Sequence, residues 1–323
     1  MTQARQSLTL SGLVALPAAE RKAALAADAG HTVQLVYQAA CHGLPEAQTT
    51  LGQMLLDGRG TPADGAAARR WFALAAQHGH APAANMLGRC LERGWGGEPD
   101  MASAARLYRQ GAETGLDWAQ YNLANMLLRG RGLDRDVPQS WSWFLAAAEQ
   151  GHAKSMNLVA RFLEGGWLGQ VDLSAAEAWY RRAADGGDFR AQYNLATLLV
   201  EQGRTGEALS WLDQAGVTGS EDFRRIAADQ LLARTDPRLH AIGLRIASLC
   251  CERGNAEDYY RYGTALAAGP SPQPKLSRAW LRRAYEAGHS NAATALAGVE
   301  PAASADRPGL LRWTRRRHRE PAP

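Results

Sequence analysis

Lysine, cysteine and long apolar runs are all scarce in this chain of 323 residues. None of the three lysines lies in a G-x-x-x-x-G-K-[ST] sequence, which argues against a phosphate-binding loop of that type. No apolar run reaches the roughly 18 residues of a membrane-spanning helix, so no transmembrane segment is predicted. H-E-x-x-H, G-x-G-x-x-G and G-x-S-x-G are missing as well. We therefore predict a protein that is not an enzyme and has no metal site and no cofactor.

The four cysteines also lack the spacing that a disulfide framework or a zinc site requires. They are Cys41, Cys90, Cys250 and Cys251, and none belongs to a C-x-x-C sequence. We expect reduced, buried thiols, which favours a cytoplasmic protein. A periplasmic location is the alternative, because the apolar stretch Leu8–Leu16 resembles part of a signal peptide. Its Ser and Gly residues weaken that resemblance, so residues 1–16 are predicted to form an N-terminal arm.

The net charge of +4 is concentrated near the C-terminal end of the sequence. Residues 300–323 contain six arginines and three acidic residues. This segment lacks the pattern found elsewhere in the chain, so a basic, disordered tail is predicted. It is either a solubilising segment or an attachment point for nucleic acid or an acidic membrane surface. The five arginines around its tryptophan are Arg312, Arg315, Arg316, Arg317 and Arg319.

A period of 36 residues organises the rest of the chain. "AQYNLANMLL" (119–128) and "AQYNLATLLV" (191–200) begin two such periods apart. An apolar pair with an aromatic member recurs at the same interval, as Trp71-Phe72, Leu107-Tyr108, Trp143-Phe144 and Trp179-Tyr180. An aspartate that can cap a helix precedes each pair, at Asp64, Asp100, Asp136 and Asp172. A glycine follows eight residues after the first member of each pair, and His80, His152 and His289 follow such glycines as turn residues.

Each period predicts two helices, which we name A and B. Helix A carries A-x-x-x-L-(G/A), whose small residue lets a neighbouring helix approach closely, and it ends at a glycine turn. Helix B carries the aromatic pair, so Trp143 and Trp179 are expected to be largely buried between repeats. The B helices are predicted near 64–78, 100–114, 137–150, 173–185, 205–215, 237–253 and 275–287. Stacked copies of such a hairpin predict an all-α solenoid of about eight repeats over residues 17–299, with an irregular stretch from Gln202 to Asp236.

This pattern resembles the Sel1-like repeat, a relative of the tetratricopeptide repeat. The resemblance rests on residues 47–80 and 119–152 and on their copies, and it extends over roughly residues 31–297. It implies an α/α superhelix whose A helices line a concave face, and a function as an adaptor that assembles complexes or binds peptides. Some secreted members have regularly paired cysteines, one pair per repeat; this chain lacks that pattern, which argues against the secreted branch.

The A helices supply the candidate binding residues. Asn122, Asn157 and Asn194 each precede a leucine assigned to the repeat, and in tetratricopeptide relatives an Asn at the matching place bonds a bound peptide. These three either form a ladder for an extended peptide or bond the neighbouring helix. Surrounding polar residues would suit an acidic or carboxylate-ended peptide, unless they are simply a solvated face. They are Tyr121, Tyr193, Asn125, Arg89, Arg93, Arg129 and Arg161.

The preferred function is therefore a bacterial-type, non-catalytic scaffold that binds a protein or peptide in the groove of the A helices. One alternative is a groove that binds a small molecule or performs catalysis. The second is an RNA- or membrane-associated protein that acts through its arginine-rich tail, the only part for which nucleic-acid binding is predicted.

Overall fold

A computed structural model describes residues 29–299, and every regular element in that range is an α-helix. The N-terminal arm and the arginine-rich tail of the sequence prediction lie outside these residues. The helices are α1 (Ala29–Cys41), α2 (Pro45–Asp57), α3 (Gly65–Gln77), α4 (Ala81–Arg93), α5 (Met101–Glu113), α6 (Asp117–Arg129), α7 (Val137–Glu149), α8 (Ala153–Glu164), α9 (Leu173–Asp185), α10 (Phe189–Glu201), α11 (Thr205–Thr218), α12 (Glu221–Leu232), α13 (Pro237–Cys250), α14 (Ala256–Ala268), α15 (Pro274–Glu286) and α16 (Ala292–Val299).

These helices form two compact units, which we call unit one (up to Arg204) and unit two (from Thr205). Unit one contains α1, the hairpins α2–α3, α4–α5, α6–α7 and α8–α9, and then α10. Unit two contains α11, the hairpins α12–α13 and α14–α15, and then α16. In unit one each A helix packs against the B helix of its hairpin, and that B helix packs against the next A helix. The predicted all-α solenoid of helix hairpins is confirmed.

The division between the units falls where the sequence pattern weakens. Arg204 lies in the shortened turn between α10 and α11, at the start of the predicted irregular stretch. Two helix ends also differ from the prediction, since α11 continues to Thr218 and α13 stops at Cys250. The other five B helices begin and end within one residue of their predicted positions.

The predicted caps begin the B helices of unit one. The carboxylates of Asp64, Asp100, Asp136 and Asp172 each accept a hydrogen bond from the backbone N–H three residues later, at 2.8–2.9 Å. Three A helices end at glycines with φ between 64° and 70°, which are Gly58, Gly94 and Gly130. A left-handed residue there suits glycine, because it has no Cβ.

The second member of each aromatic pair is buried more deeply in the core than the first. Phe72, Tyr108, Phe144 and Tyr180 are fully buried. Trp143 and Trp179 are partly buried. Trp143 packs against the core cluster that includes Tyr108 of the preceding hairpin, which agrees with its predicted place between repeats. Successive residues of a helix point about 100° apart, so the second member of each pair is fully buried while the first contacts the core from its edge. Trp179 lies at the edge, where the guanidinium of Arg182 covers its ring at 4.2 Å.

The small residue of helix A is needed because a large side chain of helix B packs directly on it. A Cβ added to Gly52 would lie 2.7 Å from the Phe72 ring, and one added to Gly88 would lie 2.8 Å from the Tyr108 ring. Both distances are shorter than a normal carbon contact. The expected close approach of helices at this position is confirmed.

Three of the four cysteines are buried, as expected, and Cys41 is exposed. Burial raises the pKa of Cys90 to about 11 and that of Cys251 to about 12. Cys41 is the last residue of α1 and lies at the helix terminus, so the expectation of burial is wrong for this thiol. Within the described residues, no helix has the length and apolar character needed to cross a bilayer.

Candidate functional site

The three predicted asparagines do not share one repeat position. In α8 the buried residue equivalent to Leu123 and Leu195 is Val159, and Leu158 is only partly buried. Asn157 therefore lies two residues before the buried position, whereas Asn122 lies one residue before it. The predicted register of the ladder is wrong at Asn157, because the leucine of the pattern was assigned one residue too early.

The asparagines instead form two pairs that link successive A helices of unit one. Asn122 Nδ2 donates to Asn85 Oδ1 at 2.8 Å, and Asn194 Nδ2 donates to Asn157 Oδ1 at 2.9 Å. Asn85 and Asn157 are buried. The two pairs are 72 residues apart, so unit one alternates between two kinds of repeat. The interhelical role that the sequence left open for these residues is present in both pairs.

A polar cavity of about 150 Å³ opens beside the first pair, between α4 and α6. We call it the A-helix cavity. Five of the predicted site residues line it, namely Arg93, Tyr121, Asn122, Asn125 and Arg129. Glu92, Met126 and Arg131 complete its wall. Three guanidinium groups thus face a space that contains a single carboxylate.

Hydrogen bonds fix the walls of the A-helix cavity. The Tyr108 hydroxyl donates to Glu92 Oε2 at 2.9 Å, and Arg131 Nη1 lies 3.4 Å from Glu92 Oε1. Asn125 Nδ2 donates to the Tyr121 carbonyl oxygen at 2.8 Å. These bonds use much of the Glu92 carboxylate and hold Asn125 against its own helix.

Aromatic packing positions Tyr121 at the same wall. Its ring lies 5.9 Å from Phe144 and 5.0 Å from His152, measured between centroids. Burial raises the pKa of the Tyr121 hydroxyl, which therefore stays protonated at neutral pH. His152 caps α8 through Ser155, and burial lowers the pKa of its imidazole. The Tyr121 wall is thus a preformed, uncharged surface.

The second asparagine pair lies on α8 and α10, two repeats after α4 and α6, and different charges surround it. Its helices place Gly165, Thr197 and Glu201 where the first pair has Arg93, Asn125 and Arg129. Thr197 Oγ1 donates to the Tyr193 carbonyl oxygen, as Asn125 does to Tyr121. An amide pair is therefore present both between α4 and α6 and between α8 and α10, whereas the arginine cluster is present only between α4 and α6.

The remaining predicted residues lie elsewhere. Arg89 and Arg161 are stacked over the rings of Trp95 and Trp167, with guanidinium carbons 5.3 Å and 5.6 Å from the centroids. Tyr193 and Asn194 belong to the second pair. The five tail arginines lie outside the described residues, and their contact with nucleic acid or membrane stays a prediction.

Sequence reasoning missed Asn85, Glu92 and Arg131. Asn85 and Asn157 are separated by 72 residues, as are Glu92 and Glu164, whose carboxylates each accept a tyrosine hydroxyl. Comparing residues that lie 72 positions apart, instead of 36, identifies these positions. No group of three His, Cys, Asp or Glu side chains within residues 29–299 is arranged to hold a metal ion.

A family model described as Sel1 repeat matches six stretches that together cover more than half of the chain, 45–80, 81–116, 119–152, 153–188, 190–216 and 250–289. The gap between the last two contains α12 and most of α13. The curated proteins contain no significant match.

Two solved structures show the same architecture. One is c5321, a protective antigen of uropathogenic Escherichia coli strains with an SLR fold, which is 28% identical with a TM-score of 0.59. The match covers 84% of this chain and 60% of that one, so the chain spans less than two thirds of the antigen. The other is a Sel1 repeat protein from Oxalobacter formigenes, 20% identical over 83% of this chain and 99% of that one, with a TM-score of 0.57. The hairpins, their period and the six matched stretches agree: the chain belongs to the Sel1 repeat family.

Proposed function

We propose that this Sel1 repeat protein is a non-catalytic scaffold that holds an acidic or carboxylate-ended segment of a partner protein in the A-helix cavity. Sel1 repeats typically serve as protein-interaction scaffolds. The observation that carries the proposal is the cluster of Arg93, Arg129 and Arg131 around Asn122, in a cavity with one carboxylate. An arginine cluster of this kind favours a carboxylate, which guanidinium groups bind through paired N–H donors.

The size of the A-helix cavity favours a side chain or chain terminus over a small molecule. Pockets for drug-sized ligands and cofactors usually measure about 300–1,000 Å³. The cavity measures about 150 Å³, which suits one carboxylate with its neighbouring atoms. The rest of a bound segment would lie along the exposed side of the A helices.

Asn122 has hydrogen-bonding capacity beyond its bond to Asn85. A carboxamide has two N–H donors and an acceptor oxygen, and the bond to Asn85 uses one donor. The other donor and the oxygen suit the N–H and C=O groups of a peptide backbone. Asn157 is buried and bonded to Asn194, so the proposal does not include a three-residue ladder.

An array of synthetic octapeptides with free C termini, graded in acidic content, tests this proposal. We expect binding to the parent protein to increase with acidic content and to weaken as salt rises. The double variant Arg93→Ala/Arg129→Ala should lower the affinity for the best acidic peptide by about 100-fold or more, since it removes two charge-assisted bonds that contribute about 1.5–3 kcal/mol each.

Asn194→Ala is the matched control. It breaks the equivalent amide pair, Asn157 with Asn194, where the counterparts of Arg93 and Arg129 are Gly165 and Glu201. Its peptide affinity should stay within about twofold of the parent value, which is a smaller change than the loss of one hydrogen bond would cause. Equal losses in Asn194→Ala and in the arginine variant would show that binding follows fold stability. Acidic and neutral peptides that bind equally well would contradict the proposal directly.

A further inference from the structure

The turn between α8 and α9 carries a concentration of exposed apolar side chains. Trp167, Leu168, Val171 and Leu173 are each 41–59% exposed. They are four of the twelve large hydrophobic residues that are exposed within the described chain. Single exposed hydrophobic residues are ordinary, but a contiguous group marks an interaction site. We call these four residues the Trp167 patch.

A cavity of about 510 Å³ adjoins the Trp167 patch. Its walls are Leu128, Arg135, Val137 and Trp167, from the end of α6, the start of α7 and the α8–α9 turn. This volume is large enough for an aromatic or a large aliphatic side chain. Two of the four wall residues are aliphatic and one is an indole, so the cavity suits an apolar anchor.

The fold holds Trp167 firmly in this position. Its ring lies 4.7 Å from Phe162 between centroids, and Phe162 is buried. A Cβ on Gly165 would meet the indole nitrogen of Trp167, so this glycine allows the ring to lie against the backbone. The guanidinium of Arg161 covers the ring. A preformed aromatic wall avoids part of the ordering cost of binding.

The charges around the Trp167 patch are complementary to an acidic partner. Arg135 lines the cavity, where its Nε donates to the Leu128 carbonyl oxygen at 3.1 Å, and Arg161 lies over Trp167. Three nearby carboxylates already have partners within the fold, and Asp134, which precedes Arg135, is exposed. Asp136 and Asp172 cap α7 and α9, and Glu164 accepts the Tyr180 hydroxyl at 2.6 Å.

The equivalent turn two repeats earlier lacks the patch. Trp95 is covered by Arg89 in the same way and borders a cavity of about 370 Å³. Residues 96–100 of that turn contain no exposed large hydrophobic residue, and Asp57 lines the cavity. The stacked Trp–Arg pair is therefore common to both turns, whereas the exposed apolar side chains and the excess of cationic groups are specific to the α8–α9 turn.

We propose that the Trp167 patch is a second docking surface, which binds a partner segment with an aromatic or large aliphatic anchor residue flanked by carboxylates. The anchor enters the cavity beside Trp167, and the carboxylates meet Arg135 and Arg161. A second copy of this chain fits less well. A twofold contact would bring each patch against itself and would place Arg135 and Arg161 close to their own copies.

Three amidated fluorescein-labelled peptides test this surface by fluorescence anisotropy. They are Gly-Asp-Glu-Leu-Phe-Glu-Asp, a form with Ser-Ser in place of Leu-Phe, and a form with Lys in place of every acidic residue. The first should bind about tenfold or more tightly than the other two, because it alone has both the anchor and the carboxylates. Trp167→Ala should weaken its binding by about tenfold or more. Trp95→Ala is the matched control and should bind as the parent does.

A second variant separates loss of docking from loss of folding. Leu168→Asp/Val171→Asp changes two exposed side chains, so it should keep the helical content and melting temperature of the parent while losing the same binding. Unchanged binding in both variants would overturn the proposal, as would equal binding of the Ser-Ser peptide. A loss in Arg93→Ala/Arg129→Ala without a loss in Trp167→Ala would assign the peptide to the A-helix cavity. A parent dimer that the Asp variant dissociates, seen by analytical ultracentrifugation, would identify a second copy as the occupant.

Discussion

Units one and two join their successive A helices by different chemistry. In unit one neutral amide pairs link the A helices, Asn85 with Asn122 and Asn157 with Asn194, and the ion pair of Glu92 with Arg131 lies beside the first of them, partly exposed. In unit two the link between α12 and α14 is ionic. Arg225 Nε and Nη2 donate to the two carboxylate oxygens of Asp258 at 2.8 Å and 3.0 Å, and Arg261 pairs with Asp229 at 3.0 Å.

This difference follows the regularity of the repeats. Two asparagines can bond only when their helices approach closely and in register, which the 36-residue period ensures in unit one. The period shortens and the Leu-Gly of helix A becomes Ile226-Ala227 in unit two. A long arginine side chain spans a gap that an asparagine cannot. Ion pairs therefore link the A helices of unit two, whereas asparagine pairs between regularly stacked helices link those of unit one.

Removing the aromatic core residue of a repeat should damage unit one most. Phe144 is fully buried, so Phe144→Ala should lower the free energy of unfolding by about 3–5 kcal/mol. Trp143→Ala is the matched control and should cost clearly less, because Trp143 is half-buried. Chemical denaturation measures both losses. In hydrogen exchange we expect lost protection around α6–α9, since repeats contact mainly their neighbours. A larger loss in Trp143→Ala would show that the core is assigned to the wrong member of the pair.

Removing one ion-pair partner should produce the next largest effect, in unit two. Asp258 is 3% exposed, and Arg225→Ala would leave its carboxylate buried without this partner. We expect a loss of about 2–3 kcal/mol at pH 7, reduced from the cost of a fully buried pair because Arg225 is partly exposed. Denaturation of parent and variant measures this loss. Arg225→Lys keeps the charge but cannot donate to both oxygens, so an intermediate loss is expected.

The cost of Arg225→Ala should depend on pH in a defined direction. The bonds from Arg225 lower the pKa of Asp258 below its ordinary value. Stability from this pair is therefore fully present above the unfolded pKa of about 3.9 and is lost as pH falls through the folded pKa. The difference between parent and variant should be constant from neutral pH down to about 5 and should shrink below about 4. A difference that does not change with pH would mean that Arg225 stabilises unit two by packing.

Sequence reasoning determined the helices well because their signals are local. The capping aspartates and turn glycines act on the first and last turns of a helix, and a period of 36 residues repeats them several times. The pair Trp143-Phe144 shows the limit of these local signals, because the sequence of two adjacent apolar residues does not indicate which one is buried more deeply. Which of two neighbouring residues is buried depends on how the helix is rotated about its axis against the helices that it contacts.

The A-helix cavity could be predicted only in part for a related reason. Arg93, Arg129 and Asn122 were found as polar residues on one side of helix A. Asn85, Glu92 and Arg131 were missed, because the bonds Asn122–Asn85 and Arg131–Glu92 join side chains from different repeats. The repetition of Asn85 and Glu92 is visible only between positions 72 residues apart. The register at Asn157 was misassigned because Leu158 and Val159 are both apolar. Only packing distinguishes them, with Val159 fully buried and Leu158 partly buried.

Breaking one amide pair should have a smaller effect than breaking the ion pair. Asn122→Ala would remove the donor to Asn85, whose carboxamide is buried, so a loss of about 1–2 kcal/mol is expected. Asn194→Ala should cost a similar amount, because it removes the equivalent donor to Asn157. Thermal denaturation in low and high salt compares both with Arg225→Ala. The ionic link should weaken as salt rises, and the amide links should not. An equal salt response in all three variants would contradict the comparison of the two units.

Cys41→Ser is expected to have the smallest effect on stability. Because it leaves only buried thiols, this variant allows the opening of the two units to be measured separately. Cys41 is exposed, so its replacement should change the free energy of unfolding by less than about 0.5 kcal/mol. Cys90 lies in unit one, and Cys250 and Cys251 lie in unit two. Burial raises the pKa of all three, and only the thiolate reacts. Native Cys41→Ser should therefore react with a thiol reagent only through opening of the fold.

The labelling rates of Cys41→Ser then report the opening of each unit. Adding Arg225→Ala should accelerate labelling at Cys250 and Cys251 by about 30- to 150-fold, which corresponds to about 2–3 kcal/mol of lost stability. Adding Phe144→Ala should accelerate labelling at Cys90 more than at Cys251. Peptide mass spectrometry after timed labelling assigns each rate to its cysteine. If both substitutions accelerate all three thiols equally, the chain opens as one cooperative whole, and the contrast between a stacked unit and an ion-paired unit has no energetic meaning.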